Sequence, residues 1–171
     1  MAYATPANLL ERFSAGELAH RGSPENALVD ADLMALTIED GDRSGYDADE
    51  IAAADAALAR WESLLTAADS RINGYLSASG CYIVPLSPVP SVITGYACHI
   101  ARWLGYDDQI PEHVQAYYDD TIRALRDIAA NKIKLTADDG SELPAPTAGP
   151  TGSPAYDSPG RVFTHTTLAN Y

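Results

Sequence analysis

Ile51-Ala-Ala-Ala-Asp-Ala-Ala-Leu58-Ala-Arg-Trp61-Glu-Ser-Leu-Leu65-Thr-Ala-Ala68-Asp-Ser-Arg-Ile72-Asn-Gly-Tyr75 decides the fold. Ile51, Ala54, Leu58, Trp61, Leu65, Ala68, Ile72 and Tyr75 recur at alternating intervals of three and four residues. That spacing draws a heptad-like apolar stripe along one face of a helix. It predicts one long helix from about Glu50 to Ala78, the central member of an all-α bundle. Each large side chain it buries contributes about 1.5–3 kcal/mol, and the alanines between them let neighbouring helices come close. Gly74 costs about 1 kcal/mol relative to alanine inside a helix and reads as a place where a neighbour approaches. Gly80 is the stop signal.

On the N-terminal side, Asp40-Gly-Asp-Arg-Ser-Gly-Tyr-Asp-Ala-Asp-Glu50 is an acidic, glycine-punctuated loop. Asp40, Asp42, Ser44 and Gly45 fit the first, third, fifth and sixth places of a calcium loop, but the twelfth is Ile51, where a bidentate glutamate is needed. The loop therefore reads as a solvated turn with Asp49 as helix N-cap. Further upstream, Thr5 with Pro6 opens a short helix bearing Leu9, Leu10 and Phe13. Ser14 to Glu17 has capping-box spacing and starts a second helix that Gly22 ends. Leu28 to Ile38 is a weaker amphipathic stretch.

On the C-terminal side, the prolines of Cys81-Tyr-Ile-Val-Pro-Leu-Ser-Pro-Val-Pro90 forbid a helix and predict an extended connector. Ser91 to Tyr106 follows as a helix with Val92, Ile93, Tyr96, Ala97, Ile100, Trp103 and Leu104 inward. Pro111 starts another, whose inner face is Val114, Tyr118, Thr121, Ile122, Leu125 and Ile128. The expected architecture is a small all-α bundle over residues 1–137. An extended linker and C-terminal arm follow over 138–171.

The chain carries 11 Lys and Arg against 24 Asp and Glu, a net charge of -13 over 171 residues. Such a surface repels phosphates and argues against a grip on DNA, though not against DNA sliding past it. No apolar run approaches the roughly 18 residues of a membrane span. The opening Met1 to Pro6 lacks the charged-then-apolar pattern of a secretory signal, so synthesis in the cytoplasm is expected.

No catalytic constellation emerges. Phosphate cradles, Cys-x-x-Cys pairs and His-Glu-x-x-His motifs are missing from the sequence. A metal set drawn from Cys81, Cys98, His99 and His113 is disfavoured because Cys98 and His99 point about 100° apart on a helix. Asp107, Asp108, Asp119 and Asp120 read as solvated carboxylates, with Arg123 and Arg126 as ion-pair partners of Asp119 and Asp120. The expectation is a non-enzymatic protein with no metal and no cofactor.

The tail is proline-, glycine- and threonine-rich yet ends in the apolar, β-prone Arg161-Val-Phe-Thr-His-Thr-Thr-Leu-Ala-Asn-Tyr171. Composition by itself describes an unordered terminus. Fixing backbone costs about 1–2 kcal/mol per residue, which this tail cannot offset without another surface. It therefore reads as a docking arm that adds a strand to a partner. Val162, Phe163, Leu168 and Tyr171 would be its anchors, with Arg161 as a polar partner.

Several segments together resemble a family of Mu-like phage structural proteins. They are Tyr3 to Phe13, Ala68 to Leu76, Tyr82 to Pro90, Ala97 to Arg102, Leu104 to Asp108, Tyr118 to Ala130 and Arg161 to Thr164, while His20 to Gly45 departs from the pattern. The resemblance implies a head-completion or head–tail connector (adaptor) protein of the virion, at the head–tail junction. On that reading the bundle forms a dodecameric homo-oligomeric ring beneath the portal protein and the arm docks on the portal. Genomic DNA passes through the channel without specific binding, and a neck or tail-terminator protein sits on the tail side. The competing expectation is a helical regulatory module that binds some other partner through its tail.

Overall fold

The computed structural model describes residues 2–24, 27–106 and 109–146. Among them the chain forms α1 (Pro6–Arg12), α2 (Ala15–Gly22), α3 (Ala31–Ile38), α4 (Ala48–Ser79), α5 (Ser91–Leu104) and α6 (Glu112–Ala129). Helices α4, α5 and α6 pack on one another, and α2 and α3 pack together against α4. The expected all-α bundle with one long helix is what the chain adopts.

The buried positions of α4 include Ala54, Ala57, Trp61, Leu65, Ala68, Ile72, Leu76 and Ser79. The heptad stripe coincides with this set at Ala54 and from Trp61 to Ile72, and slips by one residue at Leu58 and at Tyr75. Ala57 is buried in place of Leu58, and Leu76 in place of Tyr75. A straight helix has 3.6 residues per turn and drifts about 20° per heptad from a 3.5 repeat. The two frames agree at mid-helix and separate towards the ends.

The start of α4 also differs from expectation. Asp47, not Asp49, is the N-cap, and Glu50 accepts from the Asp47 backbone N–H at 3.0 Å to close a capping box. Asp49 falls in the first turn, where a negative charge favours the positive helix end. Gly80 ends the helix with φ of 67°, a left-handed conformation that glycine adopts without steric cost. Gly74 is not a point of close approach: it is exposed, and a Cβ there would meet nothing within 4 Å. Gly74→Ala is accordingly expected to raise stability by about 1 kcal/mol, seen as a later urea midpoint with an unchanged slope.

Upstream, Asp30 caps α3 by accepting from the N–H groups of Asp32 and Leu33. The amphipathic stretch therefore begins at Ala31, and Leu28 is 85 % exposed. Val92, expected inside, faces solvent, while Cys98 and Gly95 take inner positions of α5. Helix α5 stops at Leu104 and not Tyr106, with Gly105 as its cap.

The segment after α6 also departs from the expected linker. Thr136 and Glu142 form an isolated antiparallel bridge, and Leu135, Ala137 and Leu143 are buried in the core. Leu135 N–H donates to the Tyr82 hydroxyl at 2.8 Å, anchoring this segment to the proline-rich connector. The Asp138 carboxylate accepts from the Ser91 backbone N–H at 2.9 Å and from its hydroxyl at 2.9 Å. It thus caps α5, where the preceding Pro90 has no side-chain acceptor to offer. The residues from Asp138 to Leu143 belong to the bundle and do not open the arm.

Candidate docking site

Three surfaces stand out. The first is a cleft of about 490 Å³ between α4 and α6, lined by Arg71, Tyr75, Tyr118, Asp119, Ile122, Arg123 and Arg126. Arg71 follows the inward-facing Ala68 by three positions and borders the stripe. Its Nη1 donates to the Tyr118 hydroxyl at 2.6 Å. Tyr118 is stiffened from the other side by the Trp103 ring, stacked at 4.2 Å and 15°. The Trp103 indole N–H donates to Gln115 Oε1, and Gln115 Nε2 donates to Asp119. Arg123 pairs with Asp120 at 2.7 Å. Arg126, expected to pair with Asp119 or Asp120, lies nearly two turns beyond them and meets no carboxylate among the described residues. The cleft thus offers guanidinium groups and aromatic faces on an otherwise strongly acidic chain. Such a surface suits carboxylates and other anions.

The second surface joins α2 to α5. Arg102 grips Glu17 through Nε at 2.6 Å and Nη2 at 2.8 Å, and the Tyr106 hydroxyl donates to the same carboxylate at 2.9 Å. Glu17 carries capping-box spacing, and its backbone N–H does reach the Ser14 hydroxyl. Its side chain turns to Arg102 instead of closing the box. Beside the pair, Arg12, Phe13, His99 and Tyr117 line a recess of about 430 Å³. The His99 ring stacks on Tyr117 at 5.2 Å. Its Nδ1 is buried without a hydrogen-bond partner among the described residues. Burial, then the Arg12 and Arg102 guanidinium groups, hold the imidazole below its ordinary pKa and favour the neutral ring.

The third surface is an apolar recess of about 320 Å³ lined by Cys81, Tyr82, Leu135, Leu143, Ala145, Pro146 and their neighbours.

Among the described residues no group of three or more His, Cys, Asp or Glu side chains is placed to hold a metal ion. The structure does not bring Cys81, Cys98, His99 and His113 together. Cys81 is exposed and accompanies Asn131, whereas Cys98 is buried and its thiol is pushed up to about 11, chiefly by burial. In the acidic loop, Asp42 accepts from the Ser44 N–H at 2.9 Å, an ordinary turn bond. Asp119 and Asp120 are exposed on α6. Asp107 and Asp108 lie outside the described residues, as do the arm residues Arg161, Val162, Phe163, Leu168 and Tyr171. No described helix is long and apolar enough to cross a membrane.

The family model described as "Bacteriophage Mu, Gp36" matches residues 3–152. The chain is 33% identical over 84 residues to the Mu-like prophage FluMu protein gp36 of Haemophilus influenzae, covering 49% of this chain and 58% of that protein. It is 34% identical over 71 residues to Gene product J of Escherichia phage Mu, covering 42% of this chain and 49% of that one. The chain thus matches little more than half the length of the first relative and about half of the second. The family match runs from the buried Tyr3 through all six helices and the segment that caps α5. The chain belongs to the Bacteriophage Mu Gp36 family.

Proposed function

We propose that this protein is a non-enzymatic structural component of the virion, a head–tail connector. It assembles as a ring beneath the portal, extends the DNA channel and gives tail-side proteins a platform. The observation that carries the reading is a division within the chain. Residues 2–146 include a bundle with an apolar core of its own, and residues 161–171 are an apolar, β-prone segment with few apolar residues before it. A bundle of this kind is a rigid block, and such a terminus gains by burying itself on another chain. The net charge of -13 supports a channel wall past which DNA slides. The membership in a phage family favours a virion partner over a regulatory one.

A chain ending at Gly160 is expected to melt like the full-length protein and to lose its attachment to portal-bearing heads, measured by co-sedimentation. Undiminished attachment of the shortened chain would remove the arm from the proposal. Electron microscopy of assembled particles tests the rest, since a connector must give density at the portal vertex.

A further inference from the structure

The acidic loop before α4 and the cleft beside its C-terminal half are opposite in charge and far apart. In the cleft, Arg71 has only the neutral Tyr118 hydroxyl as partner among the described residues, and Arg126 has none. Asp119 and Asp120 are already engaged by Gln115 and Arg123. At the other end, Asp30, Asp32, Glu39, Asp42, Asp49 and Glu50 crowd the loop and its flanks. Arg43, the basic residue of the loop, is tied to Asp55 at 2.5 Å. The Tyr46 hydroxyl registers the crowding: desolvation, then Asp30, Asp32 and Glu50, raise its pKa.

We infer that the cleft between α4 and α6 receives the acidic loop of a second copy of this chain, so that copies join head to tail along α4. The inference rests on the ring reading above and names its contact. Copies bearing a net charge of -13 repel one another unless a cationic surface meets an acidic one. A contact of either surface with its own counterpart would set cleft on cleft or loop on loop, like charge on like. The complementary surfaces sit at Asp47 and Arg71, about 36 Å apart along a helix rising 1.5 Å per residue. Surfaces so displaced can meet reciprocally in an antiparallel pair or heterologously in a head-to-tail row, and the head-to-tail row is the contact that closes into the ring of the reading above. Rigidity helps, because loop and cleft share one continuous helix, and the Trp103–Tyr118 stack holds the aromatic wall of the cleft in place.

Two full-length variants test this, each changed only at exposed positions outside the core. The cleft variant is Arg123→Glu with Arg126→Glu, and the loop variant is Glu39→Lys with Asp49→Lys. Circular dichroism and thermal melts first establish that both fold. In sedimentation at low salt the wild type is expected to self-associate, and each variant to weaken association by roughly tenfold or more. Mixed, the native loop of one variant meets the native cleft of the other and the reversed cleft meets the reversed loop, so association beyond a dimer is expected to return and to be lost again in salt. A wild type that stays monomeric at all concentrations overturns the contact. So does association unchanged by either double reversal, or a mixture that does not grow beyond a dimer. Retardation of DNA that depends on the cleft, without change in self-association, would assign the cleft to nucleic acid and overturn it too. None of these outcomes bears on density at the portal vertex, which judges the connector reading separately.

Discussion

Trp61→Ala is expected to lower the free energy of unfolding by about 3–5 kcal/mol. That is a large share of the roughly 5–15 kcal/mol that holds an ordinary domain folded. The indole is 1% exposed and sits where three helices meet. Its Nε1 donates to the Leu18 carbonyl of α2 at 2.9 Å. A Cβ on Gly22 would come within 2.7 Å of that nitrogen, and one on Gly105 within 2.8 Å of the far edge of the ring. Both glycines are therefore small because Trp61 fills the space beside them. Truncation opens a cavity that rigid helices cannot close and removes the hydrogen bond that ties α4 to α2. Trp61→Phe should cost less, and Gly105→Ala should itself destabilise by about 1–3 kcal/mol through overpacking. Urea unfolding followed by circular dichroism measures all three. A Trp61→Ala protein within about 1 kcal/mol of wild type would show that α2 and α5 are not joined through this ring.

That joint marks how far the sequence could be read. The α4 stripe exposed Trp61 as a core residue because local periodicity reports burial. Which neighbours the indole meets depends on Gly22 and Gly105, 39 and 44 positions away on either side. No local pattern couples them, so Gly22 reads only as a helix end. The Asp47–Glu50 capping box was present in the spacing and lost to Asp49 because the loop offers several acids in a row. Asp138 is a different case. It caps α5 from 47 positions downstream, and the surrounding glycine and acidic residues look like linker because a non-local cap leaves no mark on its own neighbours.

The candidate site was legible in its parts and not in its assembly. Arg123 and Asp120 sit three apart on one helix, and their pairing follows from that spacing. Arg71 and Tyr118 come from different helices, so nothing in the order of residues announces the cleft that they frame. Basic residues are scarce enough in this chain that three guanidinium groups on one cleft concentrate its positive charge. A tally of net charge averages that concentration away, yet contacts between acidic subunits depend on it.

The Glu17–Arg102 pair offers the second large effect. Its side chains are 19% and 12% exposed, and its contacts span 85 positions. Arg102→Ala is expected to cost about 3 kcal/mol, because Glu17 would keep only the Tyr106 hydroxyl while remaining largely shut from water. Glu17→Ala should cost a similar amount, since Arg102 would retain only the Phe13 face at 4.5 Å and a long contact to His113. Arg102→Lys keeps the charge but gives up the two-pronged grip and the stacked guanidinium, so it should fall between wild type and alanine. The double change Glu17→Met with Arg102→Leu removes both charges and refills the volume, and is expected to recover most of the loss. A thermodynamic cycle through Glu17→Ala, Arg102→Ala and their double variant should give a coupling of about 2 kcal/mol. Exposed ion pairs seldom exceed about 1 kcal/mol. If both single alanine variants lie within about 0.5 kcal/mol of wild type, the pair is an ordinary surface contact. Helix α2 would then be held to the bundle by Leu18 and Trp61 without help from charge.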